Sequence, residues 1–177
     1  ELPDVEMLKK YFESHGLHKR VGSVDVDEAS LIEKPSAKKL KSRLEGQTLR
    51  STDRHGKYLL VETSEGDCLV FHFGMTGNLK YYREEDDAPE RWQVRFNFRD
   101  GGHLAYQCVR KLGEIELVDD KDQLRKDKDL GPDALQVKED AFVEELASHQ
   151  ATVKSILMNQ KVIAGIGNVY ADEILYQ

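Results

Sequence analysis

The spacing of apolar residues along this chain changes once, near residue 130, from a period of two to a helical period, and few folds accommodate that order. Upstream, Trp92, Val94, Phe96 and Phe98 alternate with Gln93, Arg95, Asn97 and Arg99, the pattern of a half-buried antiparallel strand. Arg99-Asp100-Gly101-Gly102 reads as a hairpin turn returning through HLAYQCV, and Ser64-Glu65-Gly66-Asp67 joins YLLVET to CLVFHF. RVGSVDVD alternates as well. About seven or eight such short strands predict a β-sandwich. Ahead of them, LPDVEMLKKYF places Val5, Leu8 and Phe12 at helical spacing, with Pro3, Asp4 and Glu6 in the first turn and Gly16 beyond the end. Those are the residues of a helix start and stop. Past the charged linker Asp119 to Asp129 and the turn LGPDAL, the stretches KEDAFVEELASH, TVKSILMNQ and VYADEILYQ are helical. The expected fold is therefore α+β: an N-terminal helix on an antiparallel two-layer β-sandwich, followed by a helical region. Two units are expected, residues 1–129 and 130–177.

Composition narrows the function. With 39% hydrophobic and 33% charged residues, the 177-residue chain reads as globular, and no apolar run approaches the roughly 20 residues of a membrane span. The opening residues lack the pattern of a signal peptide, so a cytoplasmic, nucleoid-associated location is expected. Cys68 and Cys108 lie in strand-like contexts and form no CxxC pair, which argues against both a disulfide framework and a thiolate metal site. The net charge of -7 weighs mildly against a polyanionic partner, but the acid is clustered in REEDDAPE and VDDKDQLRKDKD, both read as solvated loops. KPSAKKLKSR and RSTDRHGK are locally basic, and a polyanion feels the field of one face rather than the total.

The stretch NQKVIAGIGNVYADE, Asn159 to Glu173, holds Gly165 and Gly167 among apolar residues and follows them with Asn168. A glycine inside a helix costs roughly 0.5–1 kcal/mol relative to alanine, so the stretch reads as a tight turn between two helices. The second helix then offers unpaired N–H groups and the positive end of its dipole, a ready anion site. Small residues at 165 and 167 would let a phosphate approach, and Asn168 would both cap the helix and donate to a phosphate oxygen. By spacing alone, a plain αα-hairpin with a glycine cap fits equally well. A dinucleotide-binding GxGxxG loop does not, because Tyr170 stands at the third glycine position and no strand precedes it.

ELPDVE, HGKYLL at 55–60, HFGMTG at 72–77, LGPDAL at 130–135 and NQKVIAGIGNVYADEIL at 159–175 occur in this order. Together they resemble the formamidopyrimidine-DNA glycosylase / endonuclease VIII family of base-excision repair enzymes, and ELPDVE favours the formamidopyrimidine branch. The last motif is similar to that family's helix–two-turn–helix, which grips DNA phosphates. The resemblance implies a bifunctional DNA glycosylase and abasic-site lyase that removes oxidised purines, 8-oxoguanine and formamidopyrimidines, from double-stranded DNA as a monomer. In that chemistry a proline amine attacks the deoxyribose C1′, forms a Schiff base, and the strand is cut by β,δ-elimination. The proline is expected immediately before Glu1. Glu1 matches the catalytic acid/base carboxylate, and Lys57 matches the lysine that contacts phosphate and assists at the lesion. Asp4 and Glu6 serve the first helix, with Asp4 also placed to line the base pocket. Met75, bracketed by Gly74 and Gly77, matches a wedge inserted where the damaged nucleotide leaves the stack. His72, Lys154 and Asn168 match phosphate contacts, while Ile156, Leu157 and Met158 are expected in the core. Arg110 matches the arginine that pairs with the orphaned base, and Leu112 stands where the family has a phenylalanine beside it.

CVRKLG, Cys108 to Gly113, departs at Cys108 and Val109 from the family's Asp-Pro-Arg-Arg-Phe-Gly run, leaving opposite-base preference open. The family often carries one zinc in a C-terminal finger, for which residues 1–177 supply no ligands, and a fragment of a longer protein is expected. Two other activities fit the residues: a non-catalytic DNA-binding relative, and an acidic protein whose glycine turn holds a small phosphate compound. Salt dependence of DNA binding separates the last from the others, and borohydride trapping of an imine separates the first two.

Overall fold

The computed structural model describes residues 1–177. Helix α1 (Leu2–His15) buries Leu2, Val5, Leu8 and Phe12 on one face, and the Gly16 N–H closes it on the Phe12 carbonyl. Strand β1 (Val21–Val26), β2 (Ile32–Lys34) and helix α2 (Ala37–Leu44) follow, then β3 (Leu49–His55), β4 (Tyr58–Thr63), β5 (Cys68–His72) and β6 (Gly77–Tyr82). Next come β7 (Val94–Phe98), β8 (His103–Cys108) and β9 (Glu114–Val118). Helices α3 (Lys121–Asp127), α4 (Glu139–Ser148), α5 (Val153–Met158) and α6 (Asn168–Tyr176) complete the chain.

The strands form two sheets, β1-β7-β8-β6 and β2-β9-β5-β4-β3, antiparallel throughout except for the parallel β2–β9 pair. Their inner faces share one apolar core in which Phe71 lies 5.8 Å from Phe96 and 6.0 Å from Tyr106, ring centroid to ring centroid. Helix α1 closes the side of the sandwich at β3, β4 and β6, and α2 closes the opposite side at β1 and β2. The N-terminus of α1 is thereby delivered to the end of the sandwich that meets the helical region. There Leu157, Ile163, Ile166 and Ala171 make a small core of their own.

The expected α+β architecture is the one observed. Several local readings need correction. KPSAKKLKSR forms most of α2, in which Leu40 and Leu44 are fully buried while Lys38 and Lys39 are exposed. The charged linker holds α3, capped by the Asp120 carboxylate accepting from the Gln123 N–H at 2.8 Å, with Leu124 buried beneath it. Val94, Phe96 and Phe98 alternate inward as expected, but Trp92 precedes β7 and lies half-buried under the Arg95 guanidinium, 4.8 Å from ring centroid to Cζ. Gln93 turns inward instead and accepts the Cys108 N–H. A bulge between Val21 and Ser23 breaks the alternation of β1, so Val21 and Val24 are its two buried residues.

Candidate functional site

The glycine turn between α5 and α6 holds the chain's own first residues. Gly167 occupies the N-cap of α6 and has no side chain to satisfy the exposed N–H groups. The Glu1 carboxylate does so, accepting from Gly167 N at 3.1 Å, Val169 N at 2.9 Å and Tyr170 N at 3.2 Å. The Leu2 N–H donates to the Gly165 carbonyl at 3.2 Å. A Cβ on Gly167 would stand 2.4 Å from Glu1 Cδ, and one on Gly165, whose φ is +123°, 2.6 Å from Leu2 Cδ1. The space above these glycines, expected to admit a phosphate, is filled by Glu1 and Leu2. The anion at the helix N-terminus is a carboxylate from 166 residues away. Asn168, expected as the cap, is instead the first helical residue, exposed, with its amide 3.5 Å from the Asp172 carboxylate.

Lys57 stands at the tip of the β3–β4 hairpin, a two-residue turn in which Gly56 has φ +56°, a conformation glycine adopts without strain. A Cβ on Gly56 would lie 2.8 Å from Ala164 Cβ, so the hairpin tip rests directly on the α5–α6 turn. Burial lowers the Lys57 pKa below the ordinary lysine value, and the negative charge of Glu1 partly opposes that shift. His72, at the end of β5, has its pKa lowered chiefly by burial, and its Nδ1 is buried without a partner. Glu1, Asp4, Lys57, His72 and Met75 all line one cavity of about 450 Å³. The backbone nitrogen of Glu1 donates to Asp4 Oδ2 at 2.7 Å. Glu6 lies outside this cavity, paired with Arg54 at 3.2 Å.

Met75 projects from the β5–β6 loop with 71% of its surface exposed. A Cβ on Gly74 would stand 2.5 Å from the Leu112 carbonyl oxygen, so this loop and the β8–β9 loop touch backbone to backbone. Arg110 Nη1 lies 3.5 Å from Met75 Sδ, and the Arg110 N–H donates to Thr76 Oγ1 at 3.2 Å. Leu112 is half exposed beside them. Lys154 and Asn168 are also drawn together: Lys154 Nζ sits 2.5 Å from the Asp172 carboxylate that Asn168 faces. Val169, the neighbour of Asn168, lines the cavity. Ile156 and Leu157 are buried as expected, but Met158 is partly exposed.

Two family models divide the chain between them. The Formamidopyrimidine-DNA glycosylase N-terminal domain matches residues 1–115, and the Formamidopyrimidine-DNA glycosylase H2TH domain matches residues 130–177. The chain belongs to the formamidopyrimidine-DNA glycosylase family. The formamidopyrimidine-DNA glycosylase of Enterococcus faecalis is 33% identical over all of this chain and 64% of its own length. That of Streptococcus pneumoniae is 34% identical over all of this chain and 65% of its own length. The chain thus spans about two thirds of these relatives. Among solved structures, Lactococcus lactis formamidopyrimidine-DNA glycosylase bound non-covalently to DNA containing an AP site superposes with a TM-score of 0.90 at 30% identity. That match covers 99% of this chain and 67% of the other. The same enzyme in complex with FAPY-dG-containing DNA superposes with a TM-score of 0.88.

No three His, Cys, Asp or Glu side chains are grouped to hold a metal ion, and both cysteines are buried. What the sequence reading missed is an ion pair. Arg54, taken as part of the basic stretch RSTDRHGK, is buried with its guanidinium forked onto Asp133 of LGPDAL, at 2.5 and 3.0 Å. Asp133 also accepts from Gly56 N at 2.7 Å and Leu135 N at 3.0 Å, and Arg54 Nη1 donates to the Gly56 carbonyl at 2.9 Å. Every polar atom of this buried pair is occupied, which a charge in low dielectric requires. The pair fixes the backbone just ahead of Lys57 to the helical region.

Proposed function

We propose that this chain is the lesion-binding and catalytic part of a bifunctional DNA glycosylase / abasic-site lyase of base-excision repair. Its substrates are oxidised purines, 8-oxoguanine and formamidopyrimidines, in double-stranded DNA. The observation that carries this reading is the meeting of the Glu1 carboxylate and the Lys57 amine in one cavity, with Met75 standing free at its rim. The fold and the two domain matches support it.

In this reading a proline joined to the nitrogen of Glu1 carries its amine into the cavity mouth. That amine bonds to C1′ as the glycosidic bond breaks, the base leaving with a proton and the sugar remaining as a Schiff base. Glu1, fixed by the N–H groups of Gly167, Val169 and Tyr170 at the start of α6, exchanges protons with the leaving base and the opened sugar. Lys57, half-buried in the cavity that Glu1 also lines, meets the lesion and its phosphate. Loss of a C2′ proton then expels the 3′ phosphate, and the second elimination expels the 5′ phosphate. Met75 fills the gap left in the stack, and Arg110 with Leu112, backed by the Met75 loop, faces the orphaned base. Lys154 and Asn168 hold phosphates and so position the duplex without reading its sequence. The side chains and the amine do this chemistry, with no cofactor among residues 1–177. The protein acts as a monomer in the cytoplasm, associated with the nucleoid.

Borohydride trapping on an 8-oxoguanine duplex and on an abasic duplex tests the reading. A covalent adduct of protein carrying the proline is expected on both. An absence of adduct on either, with salt-sensitive DNA binding intact, would move the assignment to a non-catalytic DNA-binding relative.

A further inference from the structure

We propose that Met7 is a further substrate contact that packs against the face of the damaged base and so favours base-bearing lesions over abasic sites. The proposal rests on the glycosylase reading above. Helix α1 places its other large apolar side chains inward: Leu2, Val5, Leu8 and Phe12 are buried, and Tyr11 packs on the core. Met7 departs from this, with 63% of its surface exposed. It lines the same cavity as Glu1 and Lys57, three residues on from Asp4 and hence beside it on the helix surface. Met75, 71% exposed, borders the same opening. The cavity therefore has a thioether from α1 and another from the β5–β6 loop, with Val5 and Leu8 as apolar floor.

A pair of uncovered thioethers suits a flat aromatic ligand. Sulfur makes favourable contacts with aromatic rings at about 5 Å, and the flexible methionine side chain adapts to rings of different shape. Their division of labour follows from position. Met75 stands on an exposed loop against Arg110, at the place of the stack, whereas Met7 stands on the helix that begins at Glu1. An abasic site occupies the stack gap but brings no ring to Met7.

Peroxide footprinting read by mass spectrometry tests this without depending on turnover. The full chain is oxidised alone, with a duplex carrying a carbocyclic, uncleavable 8-oxoguanine nucleotide, and with a duplex carrying a tetrahydrofuran abasic analogue. Sulfoxide formation at Met7 is expected to slow about fivefold or more with the 8-oxoguanine duplex and less than about twofold with the abasic one, since only the former covers the thioether. Met75 is expected to slow with both. Protection of Met75 alone, or equal protection of Met7 by both duplexes, overturns the role of Met7 while leaving the DNA reading in place. Protection of neither methionine removes the DNA reading and the proposal with it. Met7→Ala, tolerated on an exposed helix face, is expected to lower kcat/KM for 8-oxoguanine release about 5–20-fold and leave abasic-site cleavage within about twofold. Equal losses on both substrates overturn it.

Discussion

The Glu1 carboxylate replaces the missing cap of α6, and the same residue lines the cavity it shares with Lys57. Gly167 makes that possible, and its φ of -114° is open to any residue, so substitution there acts through space rather than backbone strain. Gly167→Ala should displace Glu1, costing about 1–3 kcal/mol in stability through overpacking and a disproportionate loss of base release. Parallel denaturant curves and single-turnover rates check this; a loss of rate no larger than the loss of folded protein would contradict it. Lys57 offers a second test. Burial depresses its pKa and Glu1 raises it, so the lysine should titrate below its ordinary value, and Glu1→Gln should lower it further by removing the opposing charge. NMR titration of the Lys57 side chain reads both, and an unchanged pKa in the variant would show that the two groups do not interact.

Among elements, the joint between sandwich and helices rests on Arg54 and Asp133. Removing one partner of a buried ion pair leaves an uncompensated charge and typically costs about 3–5 kcal/mol. Asp133→Ala should approach that figure in chemical denaturation, since it also strands the N–H groups of Gly56 and Leu135. A loss below about 1 kcal/mol, the size of an exposed pair, would refute the joint. The elements themselves were largely legible: Val94, Phe96 and Phe98 announce a strand, and Val5, Leu8 and Phe12 a helix, because burial on one face imposes a period. Helix α2 was hidden because eight residues give only two inward positions, Leu40 and Leu44, among charges. Helix α3 was hidden for the same reason, with Leu124 its one buried residue. Arg54–Asp133 and Glu1–Gly167 link residues 79 and 166 positions apart, and no local pattern marks such a pairing. The glycine turn was visible as a turn. That its donors face the N-terminus instead of a ligand became visible only once α1 was packed against β3, β4 and β6.

Across the molecule, one cavity gathers side chains from the N-terminus, the β3–β4 hairpin, the β5–β6 loop and α6. The motifs ELPDVE, HGKYLL, HFGMTG and NQKVIAGIGNVYADEIL thus converge in space as well as in family resemblance. The sandwich supplies rigidity, the hairpin and loop supply Lys57 and Met75, and α6 orients Glu1. In the proposed reaction this orientation serves proton transfer. It is tested most directly by single-turnover release of 8-oxoguanine from duplex DNA by Glu1→Gln in the protein carrying the preceding proline, with cleavage of an abasic duplex measured alongside. An amide keeps the shape of the side chain but exchanges no proton. Base release should be abolished while part of the abasic-site cleavage survives, because no base remains there to expel. Base release by Glu1→Gln at the parent rate would contradict it.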